Sequence, residues 1–166
     1  EIVDCDWSSD VCSSDLSDVT SSPVIDGLNI YTVAYQGKIS AIDRVNAKTL
    51  WSRDISSYTG ISIDGARIYL SHTGGAVYSL AIESGKTYWR QGDLLNRKLS
   101  TPLGMGDYVA VGDLEGYIHI LDKETGAFLG RIRLDDEPVM RRLVEFETGK
   151  FLAQTRNGGL YAISIQ

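Results

Sequence analysis

The chain has 166 residues, of which 43% are hydrophobic and 23% charged, and it contains only 3 prolines. This is the composition of an ordinary globular protein, which excludes disordered, collagen-like and low-complexity chains. No uncharged stretch approaches the roughly 20 apolar residues of a membrane-spanning helix. The formal net charge of −6 gives no electrostatic argument for nucleic-acid binding, which depends on Lys and Arg at phosphates.

The first 16 residues differ in character from the rest. Residues 5–16 read CDWSSDVCSSDL, have no helix or strand periodicity, and resemble a translated sequencing adapter. We therefore predict that residues 1–16 are an artefactual leader. Cys5 and Cys12 both lie in it, and their spacing fits no zinc or redox motif. Five of the 22 acidic residues also lie there, so the remainder is close to neutral.

From residue 17 onward the sequence is a repeat of blade-sized units. The landmarks are the glycines Gly37, Gly75, Gly116 and Gly158, the tryptophans Trp51 and Trp89, and the strand-ending Asp43 and Asp122. Successive landmark glycines are separated by 38, 41 and 42 residues, and the two tryptophans by 38. The glycines and the tryptophans of the first two units thus recur with the same spacing.

Each unit predicts a four-stranded antiparallel meander. Runs of Val, Ile, Tyr and Leu alternate with turn residues that tolerate a positive φ. The predicted hairpin turns are Asp26-Gly27, Gln36-Gly37 and Asn46-Ala47, then Asp64-Gly65, Gly74-Gly75 and Ser84-Gly85, then Gly106-Asp107, Glu115-Gly116 and Thr125-Gly126. The units span approximately residues 20–58, 59–97, 98–136 and 137–166, and the last is incomplete.

The fourth unit departs from the pattern. The distance from Pro138 to Gly158 is 20 residues, whereas Pro23 to Gly37 and Pro102 to Gly116 are each 14. This predicts an insertion around residues 140–147. It overlaps an ambiguous stretch, 139–146, that is the one candidate for a helix.

Four-stranded units with two apolar faces bury them by stacking around a channel, so the fold class is all-β, a partial β-propeller. A β-sandwich is the alternative, but it does not require glycines and tryptophans in phase. We expect Trp51 and Trp89 to pack between adjacent blades. The third unit has Gly130 in their place, so Phe128 either fills the space or leaves it underpacked.

The stretch GKISAID at residues 37–43, followed by Leu50 and Trp51, resembles the PQQ-type propeller repeat. Three stretches further resemble the BamB family of the bacterial β-barrel assembly machinery: AYQG with AID at 34–43, DLLNRKLSTP at 93–102 and VGDLEGY at 111–117. The likeness covers residues 17–166, and the linker DLLNR is its most specific part.

The resemblance implies an eight-bladed ring, of which this chain would hold the last three blades and part of a fourth. It implies a non-enzymatic scaffold at the periplasmic face of the outer membrane, which binds the periplasmic POTRA region of BamA and assists the insertion of β-barrel proteins. Membrane attachment would be through a lipid anchor missing from this chain. Asp18 matches a partner-facing acidic position of the family, whereas Thr20 replaces its usual second acidic residue. Asp18 as a simple turn cap is an equal alternative.

An enzyme built on the same repeat is the runner-up, because quinoprotein dehydrogenases hold PQQ and calcium in the channel; a propeller module that binds a different partner is another alternative. Asp113 and Glu115 would be the candidate metal ligands, but they lie at a repeated hairpin turn. His72 and His119 have no partners in phase, and no Gly-x-Ser-x-Gly nucleophile motif occurs. We therefore predict no catalytic, cofactor or metal site. We expect the isolated chain to be poorly soluble, because an open ring exposes blade faces.

Overall fold

The computed structural model describes residues 21–139 and 142–165. These residues form fifteen β-strands and no helix: β1 Val24–Asp26, β2 Asn29–Val33, β3 Ile39–Asp43, β4 Thr49–Arg53, β5 Ile61–Asp64, β6 Arg67–Ser71, β7 Val77–Ala81, β8 Thr87–Gln91, β9 Leu103–Met105, β10 Tyr108–Gly112, β11 Tyr117–Asp122, β12 Phe128–Arg133, β13 Val144–Glu147, β14 Lys150–Gln154 and β15 Leu160–Ser164. The predicted leader lies outside the described residues and stays a prediction. In the described residues no helix could span a membrane.

The strands form four antiparallel sheets, each a meander in chain order. We call them blade 1 (β1–β4), blade 2 (β5–β8), blade 3 (β9–β12) and blade 4 (β13–β15). Strands β1, β5, β9 and β13 contact one another in succession, so they are the inner strands of neighbouring blades. Strands β4, β8 and β12 are the outer edges. The predicted all-β partial propeller is therefore confirmed.

The start of blade 4 corrects one prediction. Val144–Glu147 forms the first strand of this blade and pairs with β14, with a register shift between Glu145 and Glu147, so this part of the stretch is neither helix nor insertion. Pro23 and Pro102 directly precede β1 and β9, whereas Pro138 lies six residues before β13. The residues by which the spacing from Pro138 to Gly158 exceeds that of the other units therefore lie before β13, in the linker, and not inside the blade. Met140 and Arg141 lie outside the described residues.

The landmark glycines occupy the turns between the second and third strands of their blades. Gly75, Gly116 and Gly158 have φ values of 87°, 80° and 94°, which favour glycine. In blade 1 the left-handed residue is Gln36, with φ 52°, one position before Gly37.

Three apolar clusters fill the spaces between successive blades. Between blades 1 and 2, Tyr31 and Ala41 pack with Ile68 and Leu80. Between blades 2 and 3 the cluster includes Tyr69, Trp89, Val109 and Leu121, and between blades 3 and 4 it includes Ala110, Ile118, Val139 and Phe151. The core of this arc is thus a series of layers between sheets, and each blade depends on its neighbours for burial.

The tryptophans cross these layers at the outer strands. The ring of Trp51 lies where a Cβ on Gly85 of the next blade would come within 2.6 Å of it, and its Nε1 donates to the Ile82 carbonyl at 3.0 Å. Trp89 repeats the arrangement: a Cβ on Gly126 would lie 2.5 Å from its ring, and Nε1 donates to the Lys123 carbonyl at 2.8 Å. Each indole therefore joins its blade to the third-to-fourth-strand turn of the next blade.

Blade 3 lacks this contact. A Cβ on Gly130 would meet nothing within 4 Å. Phe128 remains 41% exposed and packs edge-on against His119, at a ring distance of 5.9 Å. Phe128 therefore does not fill the space that the tryptophan ring occupies in blades 1 and 2.

We predict that Gly126→Ala lowers the free energy of unfolding by about 3 kcal/mol, because the added Cβ requires a left-handed alanine and also displaces the Trp89 ring. The matched control is Gly106→Ala, at φ 51° with open space around its Cβ, which should cost only about 1 kcal/mol. Urea unfolding followed by circular dichroism, at one protein concentration, measures both. Equal losses would show that the indole does not constrain the turn.

Candidate functional site

The linkers between blades lie together on one side of the arc. We call this side the linker face; its described residues are 54–60, 92–102 and 134–139 with the turns at 34–38, 72–76, 113–117 and 155–159. Each linker hydrogen-bonds to the second turn of the following blade. Thr73 N donates to the Ser56 carbonyl at 3.2 Å, Leu114 N to Arg97 at 2.9 Å, and Arg156 N to Pro138 at 2.9 Å. The loops of this face are therefore held by main-chain hydrogen bonds that recur from blade to blade.

The linker with the most family-specific sequence, 92–102, also has the most constrained backbone. Asn96 and Lys98 are left-handed at φ 63° and 47°, which is uncommon for residues other than glycine. Leu94 is buried, whereas Leu95 at the tip is 58% exposed. The segment passes so close to Gly75 that a Cβ there would lie 2.6 Å from the Leu94 carbonyl oxygen. Gly75 is thus required by close approach as well as by its φ.

A buried carboxylate ties this linker to blade 3. The Asp113 side chain is fully buried, and its Oδ2 accepts from Arg97 Nη1 at 2.7 Å and contacts His119 Nε2 at 2.8 Å. Its Oδ1 accepts from the main-chain N of Glu115 and of Tyr117, both at 2.9 Å. Arg97 also donates to exposed Glu115 at 2.9 Å. Both carboxylate oxygens are therefore satisfied within the protein.

The hydrogen bonds decide the protonation state of Asp113. Burial by itself would raise the pKa of this carboxyl group, but the bonds from His119, the Tyr117 main chain, Arg97 and the Glu115 main chain outweigh it and hold the pKa at about 2. Asp113 is consequently a carboxylate at neutral pH that serves its turn and the Arg97 linker.

A cleft of about 380 Å³ lies beside this network, between the linker and the outer strand β12. Its lining residues are Asp93, Leu94, Arg97, His119, Phe128, Leu129, Gly130 and Arg131. The guanidinium carbon of Arg131 lies 5.2 Å from the centroid of the Tyr117 ring. The cleft is the open space that the missing tryptophan and exposed Phe128 leave at this edge.

A second depression of about 360 Å³ lies on the linker face near the start of the described chain. It is lined by Tyr35, Tyr58, Thr73 and Lys98. Ser21 lies beside the linker that carries Tyr58, because a Cβ on Gly60 would be 3.3 Å from the Ser21 Cβ. Asp18 and Thr20, the candidate partner-facing positions, lie outside the described residues.

The other sequence candidates have structural partners. Asp43 accepts from the main-chain N of Asn46 at 3.0 Å and of Val45 at 2.7 Å, and Asp122 accepts from Thr125 Oγ1 and N, both at 2.7 Å. These turn hydrogen bonds lower the pKa of each carboxyl group. His72 Nδ1 accepts from Gly74 N at 2.9 Å in a different blade from His119. Within the described residues, no group of three or more His, Cys, Asp or Glu is placed to hold a metal ion.

Sequence reasoning missed the pairing of Arg97 with Asp113. The available signal was the DLLNR linker followed by an acidic residue at the turn of the next unit. The sequence pattern alone indicates a metal ligand or a turn residue at Asp113, and Asp113 does cap its turn.

Four-stranded meander blades joined by indole contacts and by linkers on one face define a β-propeller of the PQQ-repeat class. The family model of the outer membrane protein assembly factor BamB matches residues 7–91 and 73–166. The chain therefore belongs to the BamB family, and the resemblance predicted from the sequence is confirmed.

A curated relative and a solved structure give the extent of the likeness. BamB of Escherichia coli K12 is 35% identical over 149 residues, which are 90% of this chain but only 38% of that protein. The crystal structure of BamB from Moraxella catarrhalis matches 89% of this chain and 43% of its own, with a TM-score of 0.81 and 24% identity. This chain therefore spans less than half the length of either protein.

The enzymes of the same repeat class are more distant. A quinohemoprotein alcohol dehydrogenase from Comamonas testosteroni matches 86% of this chain and 32% of its own, with a TM-score of 0.69 and 16% identity. That likeness shows a common fold alone. The family match assigns the chain to the assembly factors and not to the dehydrogenases.

We predict that Asp113→Asn lowers the free energy of unfolding at pH 7 by about 2 kcal/mol, because the amide loses the charge-assisted hydrogen bonds from Arg97. Since the pKa falls from its usual value of about 3.9 to about 2, this stabilisation is complete above pH 4 and is lost as the pH falls towards 2. The gap between variant and parent in urea unfolding should therefore shrink below pH 4.

The control for this prediction is Glu115→Gln, which removes the exposed partner of the same arginine. It should change stability by less than about 0.5 kcal/mol. A pH-independent effect of Asp113→Asn would contradict the assigned role of the carboxylate.

Proposed function

We propose that this chain is part of a non-enzymatic scaffold of the β-barrel assembly machinery, which binds the periplasmic POTRA region of BamA at the periplasmic face of the outer membrane. In this role it assists the folding and insertion of β-barrel proteins. The observation that carries the proposal is the BamB family match across residues 7–166. The proposed role is that of the whole protein; this chain matches only 38% of the length of its Escherichia coli relative.

The linker face supports a binding role. Its three linkers are hydrogen-bonded to successive turns, so the surface has a defined shape before any partner binds. A preorganised surface loses less conformational entropy on association than mobile loops do. Exposed Leu95 and Tyr35 offer apolar contact area on this face, next to the charged side chains of Lys98 and Glu115.

Asp18 is the proposed partner-facing charge of this chain. Ser21, three residues later, lies against the linker of blade 1, beside the depression lined by Tyr35, Tyr58, Thr73 and Lys98. A charge at the rim of an interface acts mainly on the association rate and its salt dependence. Thr20, the neutral residue at the second family position, leaves Asp18 as the single acidic contributor of that pair.

The enzyme alternative is testable on the same protein. Addition of PQQ and calcium with a redox dye and an alcohol or sugar should give no turnover above a protein-free control. Turnover that depends on both PQQ and the protein would contradict the scaffold proposal.

We predict that Asp18→Lys slows association with a purified BamA POTRA region by at least about tenfold at low salt, because it reverses a charge at the interface rim. The matched control is Asp107→Lys, an exposed aspartate at the first turn of blade 3, on the side opposite the linker face. Surface plasmon resonance with immobilised POTRA region, at two salt concentrations, measures both rates. Equal effects of the two variants would contradict the role of Asp18, and absence of binding by the parent chain would contradict the scaffold proposal.

A further inference from the structure

The depression near the start of the described chain has a lining of one chemical kind. Its described lining side chains are Tyr35, Tyr58, Thr73 and Lys98, which carry three hydroxyl groups and one ammonium group. All four groups can donate hydrogen bonds, the ammonium adds a positive charge, and none of the four residues is acidic. A volume of about 360 Å³ leaves room for a side chain of another molecule. The depression therefore suits a group that is negatively charged and accepts hydrogen bonds.

Three of these side chains have donors that the protein itself does not use. Within the described residues, the Tyr35 hydroxyl, the Thr73 hydroxyl and the Lys98 ammonium make no hydrogen bond and no ion pair. The neighbouring cation of the same linker differs, because Arg97 is paired with buried Asp113 at 2.7 Å. A carboxylate placed in the depression would thus gain a charge-assisted hydrogen bond from Lys98 without displacing an existing partner among these residues.

The main chain fixes the position of Lys98. The buried side chains of Leu94 and Leu99 anchor the linker on both sides of it. Asn96 and Lys98 are both left-handed, at φ 63° and 47°, a conformation that is unfavourable for residues with a Cβ and persists only where the surrounding structure imposes it. The Lys98 side chain is exposed, but it extends from an ordered backbone. Less conformational entropy is therefore lost when a partner binds the ammonium group.

The location of the depression indicates its occupant. It lies on the linker face, where the second-to-third-strand turns of blades 1 and 2 meet the first two linkers. Ser21, three residues after Asp18, lies against Gly60 of the first of these linkers, so the depression is continuous with the proposed partner surface.

We infer that the depression receives an acidic side chain of the POTRA region, held by the ammonium of Lys98 and the hydroxyls around it. This inference rests on the proposed function, which supplies the partner. Asp18 and Lys98 carry opposite charges, so the partner must present a basic group to one and an acidic group to the other. Such a pair fixes the register of the two surfaces as well as their affinity.

Lys98→Gln should weaken binding of the full chain to a purified POTRA region by about tenfold at low salt, and by less at high salt, because the lost interaction is electrostatic. Lys98→Arg, which retains the charge, should bind within about twofold of the parent. Lys98→Gly suits the left-handed main chain but lacks the ammonium, and it should bind as weakly as Lys98→Gln. The matched control is Lys86→Gln, at an exposed lysine of the β7–β8 turn on the opposite side, which should bind like the parent. Surface plasmon resonance measures all four.

A small probe tests the depression without the POTRA region. N-acetyl-glutamate α-amide, titrated into the isotope-labelled chain, should shift the main-chain amide signals of Tyr35, Thr73 and Lys98 in nuclear magnetic resonance spectra. N-acetyl-glutamine α-amide has nearly the same shape without the charge, and it should bind at least about fivefold more weakly.

The outcomes separate this inference from the proposed function. POTRA binding that Lys98→Gln leaves unchanged would overturn the inference and leave the proposed function intact. Absence of POTRA binding by the parent chain would contradict the proposed function and the partner named here. Equal binding of the two probes, or binding of the acidic probe away from Lys98, would show that the depression is not a site for a carboxylate.

Discussion

The contact on which the outer part of the arc depends is an indole ring laid across a glycine turn of the next blade. A Cβ at Gly85 or Gly126 would lie 2.6 Å or 2.5 Å from the tryptophan ring, so only glycine leaves room for it. The same glycines have φ values of 66° and 71°, so one residue type meets a steric and a conformational requirement together. The indole N–H bonds to a main-chain carbonyl, which leaves the contact independent of the neighbouring side chains. This independence explains how one contact can recur while the rest of the repeat varies.

The linker face completes the connection between blades by different chemistry at each step. The first linker uses main-chain bonds and the Ser56 hydroxyl, which accepts from Gln36 N at 2.8 Å. The second adds the ion pair between Arg97 and buried Asp113. A surface whose main chain is fixed at every linker presents side chains such as Leu95 from an ordered backbone, so less conformational entropy is lost if a partner binds there.

The fold could be predicted from the sequence because its determinants recur. The phase shared by Gly37, Gly75 and Trp51 predicts blades, and residue pairs such as Asp64-Gly65 predict hairpins, since turn chemistry is local. The Arg97 and Asp113 pair could not be found in this way, because it occurs once and a repeat comparison detects only what recurs. The first strand of blade 4 could not be located for a related reason: Pro102 is the last residue of its linker and directly precedes a strand, whereas Pro138 lies six residues before the strand.

The junction between blades 3 and 4 shows what replaces the indole when it is absent. Val139 of the linker packs so closely over Gly112 that a Cβ there would lie 2.5 Å from it. Asp135 accepts from Thr155 Oγ1 at 3.0 Å and from Tyr161 OH at 2.9 Å, so the carboxylate joins the linker to the turn after β14 and to β15. At this junction the linker contacts are thus present without the indole contact of the outer strand. Because β12 no longer anchors a ring on the next blade, its apolar side chains stay exposed and the cleft beside His119 stays open. The open edge of blade 3 therefore follows from one substitution in the repeat, glycine for tryptophan at position 130, and the Asp135 linker supplies the polar contacts at this junction.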